Sequence, residues 1–405
     1  MIVKEGTHLT YCTNIHPGES WKETFDNLKK YIPKIKEELS STQPFGIGLR
    51  LSNEASLVLQ KQEELQLFKS WLKENDCYVF TMNGFPYGGF HGQVVKDKVH
   101  DPDWTTKDRR DYTIRLFEIL AELLPNQMEG GISTSPLSYR FWFNTQHDLE
   151  RAITKSTTHL VQVVAKLIEI RQKSGKVLHL DIEPEPDGIL ENTAEMLAYF
   201  QDWLIPMGTR DLMDSLQMSK QDAESAIREH IRLCYDVCHF ALVYEKPAEV
   251  FKAMEGAGIK IGKIQISAAL KINIPDSESG RSLIKETLSP FAESTYLHQV
   301  IGRDQNGHIE SYRDLDQALD LLSDTSQNEW RIHFHVPVFL SDYGKVSSTQ
   351  SDISEVLELV QEKDVSKHLE VETYTWDVLP EGMNIDIQNS IIRELSWVTE
   401  NMKKK

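Results

Sequence analysis

The sequence predicts an α/β protein, a closed (β/α)8 (TIM) barrel with a long decorated loop after its seventh strand. Short apolar runs of β type alternate with longer stretches of helical periodicity, which is typical of a parallel sheet covered by helices. Eight such units, in a chain of 405 residues, suit a closed barrel enlarged by insertions. An open doubly wound sheet is the alternative, but no G-x-G-x-x-G sequence follows an early strand.

The eight predicted strands are bounded by turn residues or by polar helical stretches. They are HLTYC (8–12), GIGLRL (46–51), CYVFTMN (77–83), GISTS (131–135), VLHLDIE (177–183), IRLCYD (231–236), IGKIQIS (261–267) and HLEVET (368–373). The helices between them have recognisable boundaries. Ser20 and Glu23 fit a capping box at the start of the first helix. A later helix starts at Pro247 and stops at Gly256, in line with the usual helix asymmetry.

Residues 268–345 are not needed for the eight strand–helix units and are predicted to be an insertion. The segment LHQVIGRDQNGHIES (297–311) favours a hairpin turning at Asn306 and Gly307. A further apolar run, WRIHFHVPVFL (330–340), has the pattern of a strand. Long loops in compact domains are usually functional. We therefore expect residues 1–405 to form a single barrel domain with this insertion lying over its mouth.

Charge and hydropathy limit the classes of partner. The net charge is 44 − 62 = −18, and such a surface repels phosphate backbones, so nucleic acid is not expected as a partner. No run of 18 apolar residues predicts a transmembrane segment. The first residues, MIVKEGTHLTYC, lack the basic and apolar regions of a signal peptide. A cytoplasmic location and a small-molecule partner are the expectations.

Ionisable and amide side chains recur where the predicted strands end. They are Glu183 on the fifth strand, Asp236 and the following His239 on the sixth, Gln265 on the seventh and Glu372 on the eighth, with His333 and His335 in the insertion. Catalytic groups of such barrels lie at the carboxyl ends of the strands. Taken singly, a strand-end carboxylate commonly caps the next helix, and a lone histidine is more often part of the core. The joint occurrence at successive strands favours one shared site.

Carboxylates that converge on one cavity repel one another unless a cation is present. Oxygen ligands with an imidazole or amide suit Mn²⁺, Mg²⁺, Co²⁺ or Zn²⁺. The spacing Asp236-x-x-His239 lets the carboxylate bind a metal while the imidazole points at a ligand or supports the metal ligands. The sequence therefore predicts a divalent metal site at the barrel mouth.

This order of residues resembles the xylose isomerase-like barrel superfamily, which includes sugar isomerases and epimerases, inosose dehydratases and nucleases of the endonuclease IV type. A closer resemblance, to the EboE family of metabolite-traffic proteins, rests on longer motifs. These are HLTYCTNIHPGESW (8–21), FGIGLRLS (45–52), TMNGFPYGGFHG (81–92), HFHVPVF (333–339) and LEVETYTWDVLP (369–380).

The resemblance implies metal contacts from Glu183, Asp236, Gln265 and Glu372, with Glu183 and Glu372 as the acid–base pair. His239 is the further catalytic candidate. Related isomerases usually have a histidine on strand seven, where this chain has Gln265. Either His335 supplies the missing nitrogen or the site binds metal poorly.

Further residues near strand ends are candidates for substrate contact. They are Asn14, Arg50, Asn83, His333 and Trp376. The Arg50 charge ends an apolar strand and is expected to face a carboxylate, either of a ligand or of a neighbour. For any single aromatic residue such as Trp376, core packing is the alternative.

Three functions remain open from the sequence. The first is a metal-dependent isomerase or epimerase acting on a small polyhydroxylated molecule or a secondary-metabolite precursor. The second is a metabolite-binding or traffic protein without turnover, which suits Gln265. The third is a phosphodiesterase like endonuclease IV, against which the charge of −18 argues.

Overall fold

The computed structural model describes residues 1–89, 94–373 and 386–403. Its strands are β1 (Ile2–Lys4), β2 (Thr7–Tyr11), β3 (Phe45–Arg50), β4 (Cys77–Asn83), β5 (Gly130–Thr134), β6 (Leu178–Ile182), β7 (Ile231–Asp236), β8 (Ile261–Ile266), β9 (Leu270–Asn273), β10 (Val300–Arg303), β11 (Ile309–Tyr312), β12 (Glu329–Ile332), β13 (Ser347–Ser348) and β14 (His368–Val371). Each of the eight predicted barrel strands is present within one or two residues of its expected bounds.

The helices lie mainly between the barrel strands. They are α1 (Trp21–Ser40), α2 (Asn53–Leu59), α3 (Gln62–Glu74), α4 (Lys107–Leu123), α5 (Gln146–Ser174), α6 (Thr193–Ala198), α7 (Ile205–Leu216), α8 (Lys220–His230), α9 (Val237–Leu242), α10 (Pro247–Ala257), α11 (Glu278–Leu288), α12 (Leu315–Asp320), α13 (Gln350–Glu362) and α14 (Ile387–Asn401). A π-helical segment, Tyr199–Leu204, joins α6 to α7, and short 3₁₀ segments cover Thr13–Ile15, Lys96–His100, Arg140–Trp142 and Ser289–Phe291. None of the described helices is both long enough and apolar enough to cross a membrane.

The predicted helix starts are confirmed, and one helix end is corrected. Ser20 and Glu23 form the capping box of α1, each satisfying a backbone N–H of the other. Pro247 is the first residue of α10. This helix ends at Ala257 rather than Gly256, because Gly258 takes the left-handed cap with φ 67°.

The predicted (β/α)8 fold is confirmed by the order of the barrel strands. The large sheet runs β1-β2-β14-β8-β7-β6-β5-β4-β3, and every neighbouring pair from β2 to β3 along it is parallel. A parallel bridge between Cys12 and Gly48 brings its two ends together. The Thr10 hydroxyl donates to the Gly46 carbonyl at 2.8 Å and accepts from the Gly48 N–H at 3.0 Å. These contacts close the barrel between β2 and β3.

The outward faces of the strands are apolar and pack on the helices, whereas the barrel interior is polar. In β6, for example, Leu178, Leu180 and Ile182 belong to the main apolar core, and His179 and Asp181 alternate with them. The Lys263 ammonium group of β8 reaches the Met82 carbonyl of β4 at 2.9 Å, across the interior. The branched apolar layers usual inside such barrels are therefore replaced here by buried hydrogen-bonding groups.

The insertion forms a five-stranded antiparallel sheet in the order β11-β10-β12-β9-β13. The predicted hairpin is confirmed as β10 and β11, and Gly307 turns it with φ 86°. The predicted strand at 330–340 is wrong beyond Ile332, where β12 ends. The His333 N–H still bonds the Gln299 carbonyl, the next position of the register with β10. The Val336 N–H then bonds the Ala268 carbonyl, out of register with β9, so the chain has left the ladder there. The number of domains stays a prediction.

Candidate metal centre at the barrel mouth

A small cleft with a cavity volume of about 70 Å³ lies where the barrel strands end. Its polar lining consists of Glu183, Glu185, Glu372, His100, His239, His333, His335, Asn14, Asn83, Gln299 and Lys96. Barrel strands and the insertion both contribute to it, since His333 and His335 follow β12. Acids, imidazoles and amides thus surround one small space.

Three carboxylates from different strands meet in this cleft region. Glu183 directly follows β6, Asp236 ends β7 and Glu372 directly follows β14. One oxygen of each lies within 4.8 Å of the other two, and all three side chains are buried. The parallel strands bring these residues together because their carboxyl ends all lie at the same end of the barrel.

The close approach is electrostatically unfavourable without a cation. Burial, followed by the charges of Glu372 and Asp236, raises the pKa of Glu183 well above its usual range. Burial, followed by the charges of Asp236 and Glu370, raises the pKa of Glu372 to about 8. Each carboxyl group therefore holds a proton more tightly than in water, unless another positive charge replaces it.

Asp236 is held by two hydrogen bonds that leave one oxygen available. Its Oδ1 accepts from the His239 N–H at 3.0 Å, as the cap of α9, and from the Ser267 hydroxyl at 2.7 Å. Its Oδ2 is buried and has no hydrogen-bond partner among the described residues. A buried carboxylate oxygen without a donor is costly, so this oxygen fits a metal ligand.

Asn14 and Asn83, predicted to contact substrate, both donate to Glu372 Oε1, at 2.7 and 2.8 Å. The two amides come from β4 and from the 3₁₀ segment after β2. They line the cleft as well. Their hydrogen bonds fix the orientation of the Glu372 carboxyl group.

Three imidazoles lie together beside the acids. His239 Nδ1 is 3.1 Å from the Pro184 carbonyl, and His333 Nδ1 is 2.8 Å from Gln299 Oε1. Because these oxygens only accept, both Nδ1 atoms carry protons in the neutral rings, and the two Nε2 atoms face each other as acceptors at 3.1 Å. Two acceptor nitrogens at this distance repel each other unless one of them is protonated. Burial lowers the pKa of His239 to about 4, which disfavours that protonation.

His335 joins the acids from the insertion. Its Nδ1 is 3.0 Å from the Glu372 carbonyl, and its Nε2 lies 3.9 Å from Asp236 Oδ2. Asp236, His239 and His335 each offer a ligand atom within 4.8 Å of the others. Gln265 lies beside Asp236 in the register of β7 and β8 and is fully buried. Neither amide atom of Gln265 has a hydrogen-bond partner in the described part of the chain.

Arg50 faces a neighbour rather than the cleft. Its guanidinium group forms two hydrogen bonds of 3.1 Å to the Glu19 carboxylate, and one of 2.6 Å to the Gly88 carbonyl. Of the two partners expected for its charge, the structure shows the carboxylate of a neighbour. Trp376, the other substrate candidate, lies outside the described residues.

The sequence analysis did not identify a second acid, Glu185, in the loop after β6 that also carries Glu183. Glu185 lines the cleft, and its Oε1 lies 3.1 Å from His100 Nε2, with both side chains buried. Burial, followed by the charge of Asp236, raises the pKa of Glu185 well above its usual range. The alternation Glu183-x-Glu185-x-Asp187 was a signal for it, but His100 is remote in the sequence.

No protein-family model and no curated protein matches this sequence. Solved structures with a similar fold include the protein IolI with a binding zinc atom, at 12% identity and TM-score 0.46, covering 98% of this chain and 99% of that one. A xylose isomerase-like TIM barrel protein from Mycobacterium smegmatis in complex with magnesium has 9% identity and TM-score 0.46, covering 98% and 97%. The probable 3-DHS dehydratase AsbF from Bacillus anthracis has 10% identity and TM-score 0.42, covering 96% and 97%. The chain itself is a (β/α)8 barrel by its own strand order.

Proposed function

We propose that the protein is a divalent-metal-dependent isomerase or epimerase acting on a small polyhydroxylated molecule. One observation carries the proposal: the buried carboxylates of Glu183, Asp236 and Glu372 converge within 4.8 Å at the barrel mouth, where Glu183 and Glu372 line the cleft. Such a donor set, with imidazole nearby, fits Mn²⁺, Mg²⁺, Co²⁺ or Zn²⁺.

Glu183, Asp236 and Glu372 would hold the ion, with His335 as the nitrogen ligand and Gln265 as a further oxygen donor. Asp236 Oδ2, buried without a hydrogen-bond partner among the described residues, supports this assignment. When bound, a divalent cation would polarise the carbonyl and hydroxyl oxygens of the substrate.

Glu183 and Glu372 are the proposed acid–base pair. Burial and the neighbouring carboxylates raise the pKa of both groups, which favours proton uptake, whereas a bound cation would favour proton release. One would remove the proton from the carbon next to a carbonyl, and the other would return a proton. An epimerase returns it to the same carbon from the opposite face; an isomerase returns it to the former carbonyl carbon while a hydroxyl proton moves to the carbonyl oxygen. His239 and His333 would accept from substrate hydroxyl groups through the Nε2 atoms that lie 3.1 Å from each other in the structure.

The cleft favours a neutral, hydroxyl-rich substrate. Its lining offers acceptors from acids and imidazoles and donors from Asn14 and Asn83. Phe85, Pro86 and Leu297 add apolar walls, as in pockets that grip the carbon skeleton while polar groups orient it. The acids would disfavour anionic substrates.

A second candidate function is metabolite binding without turnover. It is favoured by the two amide donors on Glu372 Oε1, because hydrogen bonds to a carboxylate oxygen reduce its strength as a base. In that case the cleft would hold the same class of molecule as a carrier.

Proton transfer can be tested directly by nuclear magnetic resonance. The protein is loaded with each of the four cations and incubated in D₂O with ketoses, aldoses and cyclic polyol ketones. We expect deuterium to enter at the carbon next to the carbonyl with at least one substrate, and Glu183→Gln and Glu372→Gln to abolish the exchange. Saturable binding without exchange would establish the carrier instead.

A further inference from the structure

A second group of metal-ligating residues lies at the opposite end of the barrel. Glu129 directly precedes β5, His179 is the second residue of β6 and His368 is the first of β14. Each offers one ligand atom, and the three atoms lie within 4.8 Å of one another. We call this group the basal cluster. It shares no residue with the carboxylates at the mouth.

Both imidazoles of the basal cluster have one nitrogen committed to an oxygen. His179 Nδ1 is 2.6 Å from Asp181 Oδ1, and His368 Nε2 is 3.2 Å from the backbone carbonyl of Glu129. A carbonyl only accepts, so His368 Nε2 carries a proton. His179 Nδ1 carries one when Asp181 is ionised, a form that a bound cation would favour. The other nitrogens, His179 Nε2 and His368 Nδ1, then carry bare lone pairs.

Neither of these lone pairs has a hydrogen-bond partner among the described residues, although both rings are fully buried. An unsatisfied buried acceptor costs free energy. Histidines that bind metals typically donate their second N–H to a carboxylate or a backbone carbonyl, which fixes the tautomer. Both basal histidines have that arrangement.

Two glycines make room for the dyad of His179 and Asp181. A Cβ added at Gly131 would lie 2.7 Å from Asp181 Oδ2, and one added at Gly262 would lie 2.8 Å from His179 Nδ1. Contacts this short are excluded for real side chains. The neighbouring strands β5 and β8 therefore accommodate the pair only because these positions lack side chains.

Acidic and basic side chains both lie near the basal cluster. Arg232 lies near the cluster, but it is shared between Glu129 at 3.4 Å and Glu229 at 3.2 Å. The Lys263 ammonium group is neutralised by Glu370 at 2.8 Å. Glu129 also lies 3.9 Å from the Lys367 ammonium group, so a bound cation would share this carboxylate with Arg232 and Lys367. Burial raises the pKa of Asp181, and a bound cation would favour its ionised form.

We propose that Glu129, His179 and His368 form a second divalent-metal site, with the nitrogen and oxygen ligands that suit Zn²⁺. Glu129 also lines an open cleft at the outer surface of the barrel base, together with Arg232, Ser366 and Lys367. Water from this cleft would complete the coordination. The ion would link β6 to β14, which β7 and β8 separate in the sheet, and so stabilise the barrel floor.

Zinc content tests the proposal in the full-length protein. The protein is equilibrated with Zn²⁺, freed of loosely bound ion and analysed for zinc per chain. We expect His179→Gln/His368→Gln to bind one ion fewer than the wild type. His230→Gln, a buried histidine bonded to the Leu178 carbonyl outside the cluster, is the matched control and should bind as many as the wild type. An unchanged zinc content in the folded double variant would overturn the proposal.

A variant that lacks the proposed metal ligands at the barrel mouth distinguishes the basal site from the mouth site. Glu183→Gln/Glu372→Gln should keep the basal ion whether or not the proposed function is correct. In this background we expect Asp181→Asn, which retains both imidazoles, to lower zinc affinity about 10–100-fold in competition with a chromogenic chelator. Bound zinc should also raise the melting temperature by a few degrees. Unchanged affinity in Asp181→Asn would overturn the basal site even if the histidine double variant does not fold.

Discussion

The Lys263 ammonium group lies 2.8 Å from Glu370 Oε2 inside the barrel, and neither side chain has any exposed surface. Lys263 also donates to the Met82 carbonyl at 2.9 Å. Burial is the largest single influence on the pKa of Lys263 and lowers it, but the charges of Glu370, Cys234 and Cys12 and the hydrogen bond to Glu370 together raise it above its usual range. The Lys263 ammonium group therefore keeps its charge within the polar interior, with Glu370 as its partner.

Removal of one partner of this pair should strongly destabilise the fold. We expect Lys263→Met to lower the free energy of unfolding by about 3–5 kcal/mol, because the Glu370 carboxylate loses its counter-charge. The double variant Lys263→Met/Glu370→Leu should recover most of that loss, since no buried charge remains. Urea unfolding of both variants checks this. Equal stability of the single and double variants would contradict the assigned coupling.

Closure of the barrel depends on the absence of a side chain at position 48. A Cβ at Gly48 would lie 2.7 Å from the Tyr11 carbonyl and would collide with the Glu370 carboxylate. We expect Gly48→Ala to cost about 1–3 kcal/mol of stability, as overpacked cores do. The matched control is Gly256→Ala in α10, where a Cβ meets nothing within 4 Å, and helix propensity predicts a gain of about 0.4–1 kcal/mol. Thermal unfolding of the two variants should shift in opposite directions.

The amides on Glu372 should affect metal binding at the mouth. Asn83→Ala removes one of the two donors to Glu372 Oε1, and we expect metal affinity there to fall about 10-fold. Asn14→Ala should behave alike, and the double variant should lose more than either. Titration of the apoprotein with Mn²⁺, followed by electron paramagnetic resonance, measures the affinity. Unchanged affinity in the double variant would show that Glu372 is not a ligand.

Glu394 should make stability depend on pH. It is buried, accepts from the Thr373 hydroxyl at 2.7 Å, and burial raises its pKa from 4.5 to about 7. Because the folded state binds this proton more tightly, the stabilisation is complete below about pH 4.5 and is lost as the pH rises through about 7. We expect Glu394→Gln to remove a decrease on the order of 2–3 kcal/mol between pH 5 and 8. Urea midpoints of both proteins at these two pH values provide the test.

The barrel was predictable because its signals are local. The apolar run at 231–236 coincides with β7, and the chain spacing between runs leaves room for a helix after each strand. The convergence of Glu183, Asp236 and Glu372 followed from topology, since parallel strands of one barrel open at the same end. Their roles as metal ligands and catalytic groups stay predictions.

Other features depended on contacts between distant segments. The run at 330–340 has the alternation of a strand, yet β12 ends at Ile332, and by Val336 the chain bonds Ala268 out of register with β9. The sequence left open whether the Arg50 charge faces a ligand or a neighbouring carboxylate. In the structure it pairs with Glu19, which lies in the loop before α1. His100 reaches Glu185 from a segment with no strand or motif of its own.

The sequence by itself determined the alternation of strands and helices, and with it the end of the barrel where acids gather. Only the tertiary structure decided that His179, Asp181, Lys263, His368 and Glu370 fill the barrel interior. Periodicity tells which residues share a strand face, but burial of a charge is tolerated only when a partner arrives from another strand. Such partners, as between Lys263 of β8 and Glu370 of β14, are a property of the closed barrel and leave no local pattern in the chain.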